Sequence, residues 1–153
     1  MTTYTARPID PTVLKELRSA DDAGRGMVPV LDEEGGAPLR CCLRRSEPGE
    51  RIALVSYAPV RRWAADAGAY DEVGPVFVHA EECGGPAAGS GYPFADAHRV
   101  LRRYSAEGHI LGGELVDTLD DEAFRRAFDD PSVVVVHVRA VEYGCFFFEV
   151  RRA

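Results

Sequence analysis

Two adjacent thiols set between arginines open the chemical case. Arg40-Cys41-Cys42-Leu43-Arg44 is followed by Glu47-Pro48-Gly49-Glu50 and the apolar run of residues 51–57. Ionised cysteine is the most reactive of the common side chains, and guanidinium is the cation best shaped to hold an oxyanion. The segment points to a reactive thiol or an anion site. As a strand, residues 40–44 alternate: Arg40, Cys42 and Arg44 share one face, Cys41 and Leu43 the other. The vicinal thiols then point apart. Cys41 reads as core, because a reduced cysteine behaves as a small hydrophobe. Cys42 has a cation about 6–7 Å away on each side. A charge at that range is worth about 2 kcal/mol at most, which would lower the thiol pKa by about one to two units. If both arginines point into water instead, Cys42 is simply half-buried.

His79 is the only ionisable side chain between Pro75 and Ala80. It is a candidate general base or positioning donor for Cys42, or else a histidine satisfied by a backbone or carboxylate partner. Cys83 follows four residues later, about 13 Å along an extended strand, too far to share one metal ion with His79. Only a turn starting near Glu81 would bring them together, and no CxxC or HxxxH accompanies them. A zinc site built from Cys42, His79 and Cys83 is therefore not expected, and no other metal site or cofactor is.

Further along, Val134, Val136 and Val138 face the core of a strand, with His137 and Arg139 on its opposite face. Should that strand lie near the first hairpin, Arg40, Arg44, His79, His137 and Arg139 converge on one pocket suited to a carboxylate, sulfate or phosphate. Otherwise they line a solvated sheet face. Asp71 and Glu72 read as solvated loop carboxylates, and His98 and His109 as surface residues. No Ser-His-Asp order and no nucleotide fingerprint is present; the glycine-rich stretch 84–93 lacks the Gly-Lys-Ser/Thr of a phosphate loop. It reads as a surface connection or a lid.

These residues need elements to hold them. A short edge strand is predicted over residues 2–9, then a helix through Ser19 that Asp10 caps and Pro11 starts. Strands follow at 27–31, at 40–44 and 52–57 as a hairpin around Pro48-Gly49, and at 75–80. Residues 58–74 read as irregular, with Trp63 as a packing anchor. A second hairpin covers 99–104 and 109–116, a capped helix 120–128, and a last antiparallel pair 133–141 and 145–152. Phe146, Phe147 and Phe148 alternate across the final strand, so both of its faces need cover: a helix on one, a folded-over sheet or a homodimer partner on the other. The expected fold class is α+β, one curved, mostly antiparallel sheet of about seven strands with two or three short helices.

The sequence of 153 residues is long enough for one domain, 1–153, with a core that needs no staples. A net charge of −7 argues against wholesale binding to nucleic acid or an anionic membrane, while leaving room for a local basic patch. Lys15 is the only lysine. The N-terminus lacks an apolar h-region, no run approaches a membrane span, and four cysteines are too few and wrongly spaced for a disulfide scaffold. A cytoplasmic location with reduced thiols is expected.

At Arg40-Cys41-Cys42-Leu43-Arg44, Pro48-Gly49-Glu50, Ser56-Tyr57-Ala58-Pro59, Gly74-Pro75-Val76-Phe77-Val78-His79-Ala80 with Cys83, and Tyr143-Gly144-Cys145-Phe146, the chain resembles the bacterial domain-of-unknown-function family 1203. The resemblance runs from about residue 4 to the end. It implies a small stand-alone bacterial domain and brings no catalytic residue, cofactor or partner with it.

Three functions are compatible with these residues. The first is binding of a small anionic ligand on the sheet face bearing Arg40, Arg44, His137 and Arg139. The second is a thiol enzyme with Cys42 as nucleophile and His79 as acid–base group. The third is an interaction protein that forms a homodimer through its C-terminal strand.

Overall fold

Runs of β-branched and aromatic residues set the long strands, and Asx caps set the two helices. A computed structural model describes residues 2–89 and 91–152. The chain divides into two units, one of Met1–Arg7, Ala58–Glu72 and Gly89–Ala153, the other of Pro8–Tyr57 and Val73–Ala88.

The second unit begins with α1 (Pro11–Ser19). Asp10 caps it, its carboxylate accepting from the Thr12 backbone N–H at 2.8 Å, and Leu14 and Leu17 are its buried face. The sheet of this unit runs in the order β2 (Val30–Asp32), β5 (Glu50–Tyr57), β6 (Gly74–His79), β3 (Pro38–Leu39) and β4 (Arg44–Arg45). β5 lies antiparallel to β2 and β6, with Ile52 opposite His79. β3 lies parallel to β6 and antiparallel to β4.

In the first unit the order is β1 (Ala6–Arg7), β10 (Phe146–Arg151), β9 (Val135–Arg139), β7 (Arg99–Tyr104) and β8 (Ile110–Val116), every pair antiparallel. Helix α2 (Asp121–Ala127) is capped by Asp120, which accepts from the Ala123 N–H at 2.9 Å. The β7–β8 turn closes with the Gly108 N–H donating to the Ser105 carbonyl at 3.0 Å. Gly108 has φ +81°, and a Cβ there would lie 2.7 Å from both Ala64 Cβ and Val60 Cγ1. Residues 58–70 supply two short 3-10 turns, and Trp63 meets the ring edge of Tyr104 at 5.4 Å between centroids.

The architecture is mixed α/β, as expected, but the single sheet of about seven strands is not found. Among the described residues there are two sheets of five strands each. β1, β3 and β4 are two residues long, too short to show alternation in a sequence. The expected pairing of 40–44 with 52–57 fails as well. Residues 40–43 are a turn, and β5 pairs with β2 and β6 instead. Phe146, Phe147 and Phe148 are all buried within the chain. Among the described residues no helix is long and apolar enough to cross a membrane.

Candidate metal centre

The turn of residues 40–43 builds the site. The Leu43 N–H donates to the Leu39 carbonyl at 2.9 Å, and Leu43 itself has φ 55°. A left-handed residue costs a branched or long side chain about 1–2 kcal/mol, so the surroundings must hold it. They do: the Arg40 N–H donates to the Phe77 carbonyl of β6 at 2.9 Å, and its carbonyl accepts from the Ile9 N–H at 3.0 Å. Period-two alternation holds only for extended backbone. In this turn the Cys41 and Cys42 sulfurs come to 3.9 Å of each other instead of pointing apart.

His79 ends β6 and turns Nδ1 toward both, 3.3 Å from Cys41 Sγ and 3.8 Å from Cys42 Sγ. The chain then bends at residues 80–81. That bend replaces the extended spacing that would have kept Cys83 away. One ligand atom from each of Cys41, Cys42, His79 and Cys83 lies within 4.8 Å of every other. A tetrahedral zinc ion with bonds of about 2.3 Å to sulfur and about 2.0 Å to nitrogen spaces its sulfurs about 3.8 Å apart and sulfur from nitrogen about 3.5 Å. The separations among Cys41, Cys42 and His79 Nδ1, 3.9, 3.3 and 3.8 Å, sit near that spacing, and Cys83 completes the set within 4.8 Å.

Each sulfur also receives a backbone N–H: Cys41 from His79 at 3.2 Å, Cys42 from Arg44, and Cys83 from Gly85. Such donors favour thiolate over thiol. Cys42 is pushed below the ordinary thiol range, first because Cys41 donates its S–H to it, with the Arg44 N–H and charge helping against burial. Cys41 is pushed up by that same donation and by burial, and Cys83 is pushed up by burial.

Behind the ring stands a carboxylate. His79 Nε2 lies 2.8 Å from Glu50 Oε2, which fixes the proton on Nε2 and leaves Nδ1 with a lone pair for the sulfurs' side. Arg44 grips the same carboxylate with both ends of its guanidinium, each at 2.8 Å, and the Glu47 N–H donates to it at 2.6 Å. The Arg44 contact first, then the Glu47 N–H, holds the Glu50 carboxyl far below the usual carboxylate range.

Two hollows flank the cluster. One, of about 470 Å³, is lined by Cys41 and Cys83 with Pro11, Leu14, Lys15, Arg18 and Glu82 among its other walls. The second, of about 380 Å³, is lined by Arg44, Glu50, His79, Glu82 and Cys83.

The residues singled out from the sequence divide between the units. Cys42, His79, Arg40 and Arg44 belong to the second. Arg40 is 2% exposed, and its guanidinium donates to the Pro38 carbonyl within the β3–β4 hairpin. His137 and Arg139 belong to the first unit, on β9, whose two faces are both buried, so the solvated face expected there is absent. His137 is fully buried among Trp63, Tyr104 and Phe146, its Nε2 3.4 Å from Glu149. Burial, only partly offset by Glu149, pushes its pKa down. Arg139 pairs with Glu72 at 2.5 Å and donates to the Gly144 carbonyl at 2.8 Å. Glu72, read from the sequence as a solvated loop carboxylate, also takes Arg102 at 3.1 Å.

Sequence reasoning missed Cys41 and Glu50 as partners of one centre and set Cys83 aside on its extended spacing from His79. Gly84-Gly85 directly after Cys83 was the available signal: Gly85 has φ +77°, and its N–H caps the Cys83 sulfur.

This chain belongs to the DUF1203 family, described as protein of unknown function, whose family model matches residues 36–152. No curated protein and no solved structure matches the chain. The matched span holds all four residues of the cluster and Glu50.

Proposed function

We propose that this DUF1203 protein binds one soft divalent metal ion, zinc in the first instance, through Cys41, Cys42, Cys83 and His79 Nδ1. The observation that carries the reading is the four ligand atoms lying within 4.8 Å of one another. Three thiolates and an imidazole in tetrahedral array suit zinc better than any hard cation, which wants oxygen. The Glu50–His79 hydrogen bond is the outer support that metal-bound histidines ordinarily have. All four positions come from the protein, so the ion has a structural role. It ties the β3–β4 turn, the end of β6 and the 82–85 segment together.

A thiol-enzyme reading with Cys42 as nucleophile draws on one observation, the series Cys42 Sγ, His79 Nδ1 and Glu50, with 3.8 Å and 2.8 Å steps. It leaves the clustering of Cys41 and Cys83 around the same nitrogen without a purpose. The reduced thiols fit a reducing compartment, and we place the protein in the bacterial cytoplasm.

Metal content by elemental analysis of the purified chain, followed by cobalt substitution, tests the proposal. Expected are one ion per chain, intense tetrahedral ligand-field bands and a thiolate charge-transfer band, all lost in Cys83→Ser. A protein that takes up no stoichiometric ion, or gives the weak spectrum of octahedral cobalt, would overturn it and leave the Cys42 nucleophile as the better reading.

A further inference from the structure

The larger hollow beside the cluster has its own chemistry. About two turns of α1 form its wall: Pro11, Leu14, Lys15 and Arg18 recur at helical spacing and share a face. The opposite wall is Cys41 with residues 82–85. The helix therefore offers the hollow two apolar side chains and two cations, one of which is the only lysine in the chain.

Arg18 is the informative member. Its Nε donates to the His79 carbonyl at 3.1 Å, which fixes the plane of the guanidinium. Its Nη2 is buried and has no hydrogen-bond partner among the described residues. A buried donor left unmade costs about 1–3 kcal/mol, more when charged, so this guanidinium gains from an acceptor brought against it in the hollow that Arg18 lines. Guanidinium takes a carboxylate or phosphate most readily. Glu82, on the rim, and the sulfur cluster both add negative charge here. They disfavour a dianion and leave a single negative charge as the best match for Lys15 and Arg18. Leu14 and Pro11 suit a short apolar body. A volume of about 470 Å³ lies in the range of small-molecule sites.

We propose that this hollow binds a small monocarboxylate, its carboxylate on Arg18 and Lys15 and its apolar end against Leu14 and Pro11. The walls are protein side chains, so the site does not depend on the metal reading. Its cations are distinct from Arg40, Arg44, His137 and Arg139.

Lys15 gives a selective reporter. Reductive ¹³C-dimethylation labels one side-chain amine in this chain and keeps its charge. Butyrate is titrated into the zinc-loaded and the metal-free protein, with the neutral isostere butyramide as control. Butyrate is expected to shift the Lys15 signal saturably, and butyramide at least tenfold more weakly. Arg18→Gln should weaken the response about tenfold, and Arg18→Lys should restore part of it. Because Arg18 also supports the His79 carbonyl, Leu14→Trp is a second variant: it keeps both cations, fills the hollow and should abolish saturation. Equal shifts from butyrate and butyramide, or unchanged affinity in both Arg18→Gln and Leu14→Trp, would overturn the site. Saturable butyrate binding by a protein that takes up no metal would uphold this site while removing the metal reading.

Discussion

His79 Nε2 lies 2.8 Å from Glu50 Oε2, and both ends of the Arg44 guanidinium close on that same carboxylate at 2.8 Å. The imidazole is thus aimed by a carboxylate that is itself immobilised. An outer carboxylate of this kind typically contributes 10–100-fold to metal affinity. Glu50→Gln is expected to weaken zinc binding by about that factor in competition with a chromogenic chelator. The cobalt spectrum should keep its shape, since no ligand changes. Unaltered affinity would show that the carboxylate does not orient the ring.

Thiol reactivity in the metal-free protein should be ordered. Cys42 accepts hydrogen bonds from the Cys41 S–H and the Arg44 N–H, so it gives up its proton first, while Cys41 holds its proton to higher pH. Iodoacetamide followed by peptide mapping is expected to label Cys42 at lower pH than Cys41. Zinc should protect Cys41, Cys42 and Cys83 together and leave Cys145, outside the cluster, unprotected. Alkylation of all four at one common rate, with and without zinc, would contradict the shared centre.

His137 sets an acid limit on stability. Unfolded, an imidazole titrates at about 6.5. Folded, burial holds it lower. Above that ordinary value both states are neutral and this group adds no pH dependence. As pH falls below it, the unfolded chain takes up a proton that the folded one refuses, so stability declines until the folded pKa is passed. In His137→Phe, which keeps an aromatic ring among Trp63, Tyr104 and Phe146, the stability profile from urea melts should be flatter as pH falls below about 6.5. A variant with the same slope as the parent would assign the acid lability elsewhere.

Gly108→Ala should be costly. The position has φ +81°, and the added methyl would stand 2.7 Å from Ala64 Cβ and Val60 Cγ1. Left-handed backbone and overpacking together predict a loss of about 2–4 kcal/mol. Trp63, the only tryptophan and part of the cluster with Val60, Ala64, Ala67 and Tyr104, reports the unfolding by fluorescence. A loss under about 0.5 kcal/mol, the size of an ordinary surface change, would mean that the turn adjusts freely.

Where the backbone is regular, the sequence was legible. Asp10 and Asp120 cap the helices that their positions announce, and the hairpin over 99–116 turns at Gly108 as its residues suggest. Alternation failed where two-residue strands frame a turn. Strand geometry puts Cys41 and Cys42 on opposite faces, and a single left-handed residue, Leu43, breaks that geometry. Cys83 was set aside for the same reason, since extended spacing beyond His79 ignores the bend at 80–81. Arg18 carried no signal at all: an arginine on a short amphipathic helix is ordinary until one of its nitrogens proves to be buried and unanswered. Strand partners are likewise long-range information, which is why His137 and Arg139 were grouped with residues of another sheet.

Cys83 and Glu82 line both hollows that flank the cluster. They act as a party wall, with a chamber on either side. A peroxide or an electrophile can therefore approach this sulfur by two routes, whereas Cys42 lines neither. Chemical damage to the centre should begin at Cys83, and whatever fills either chamber shields it.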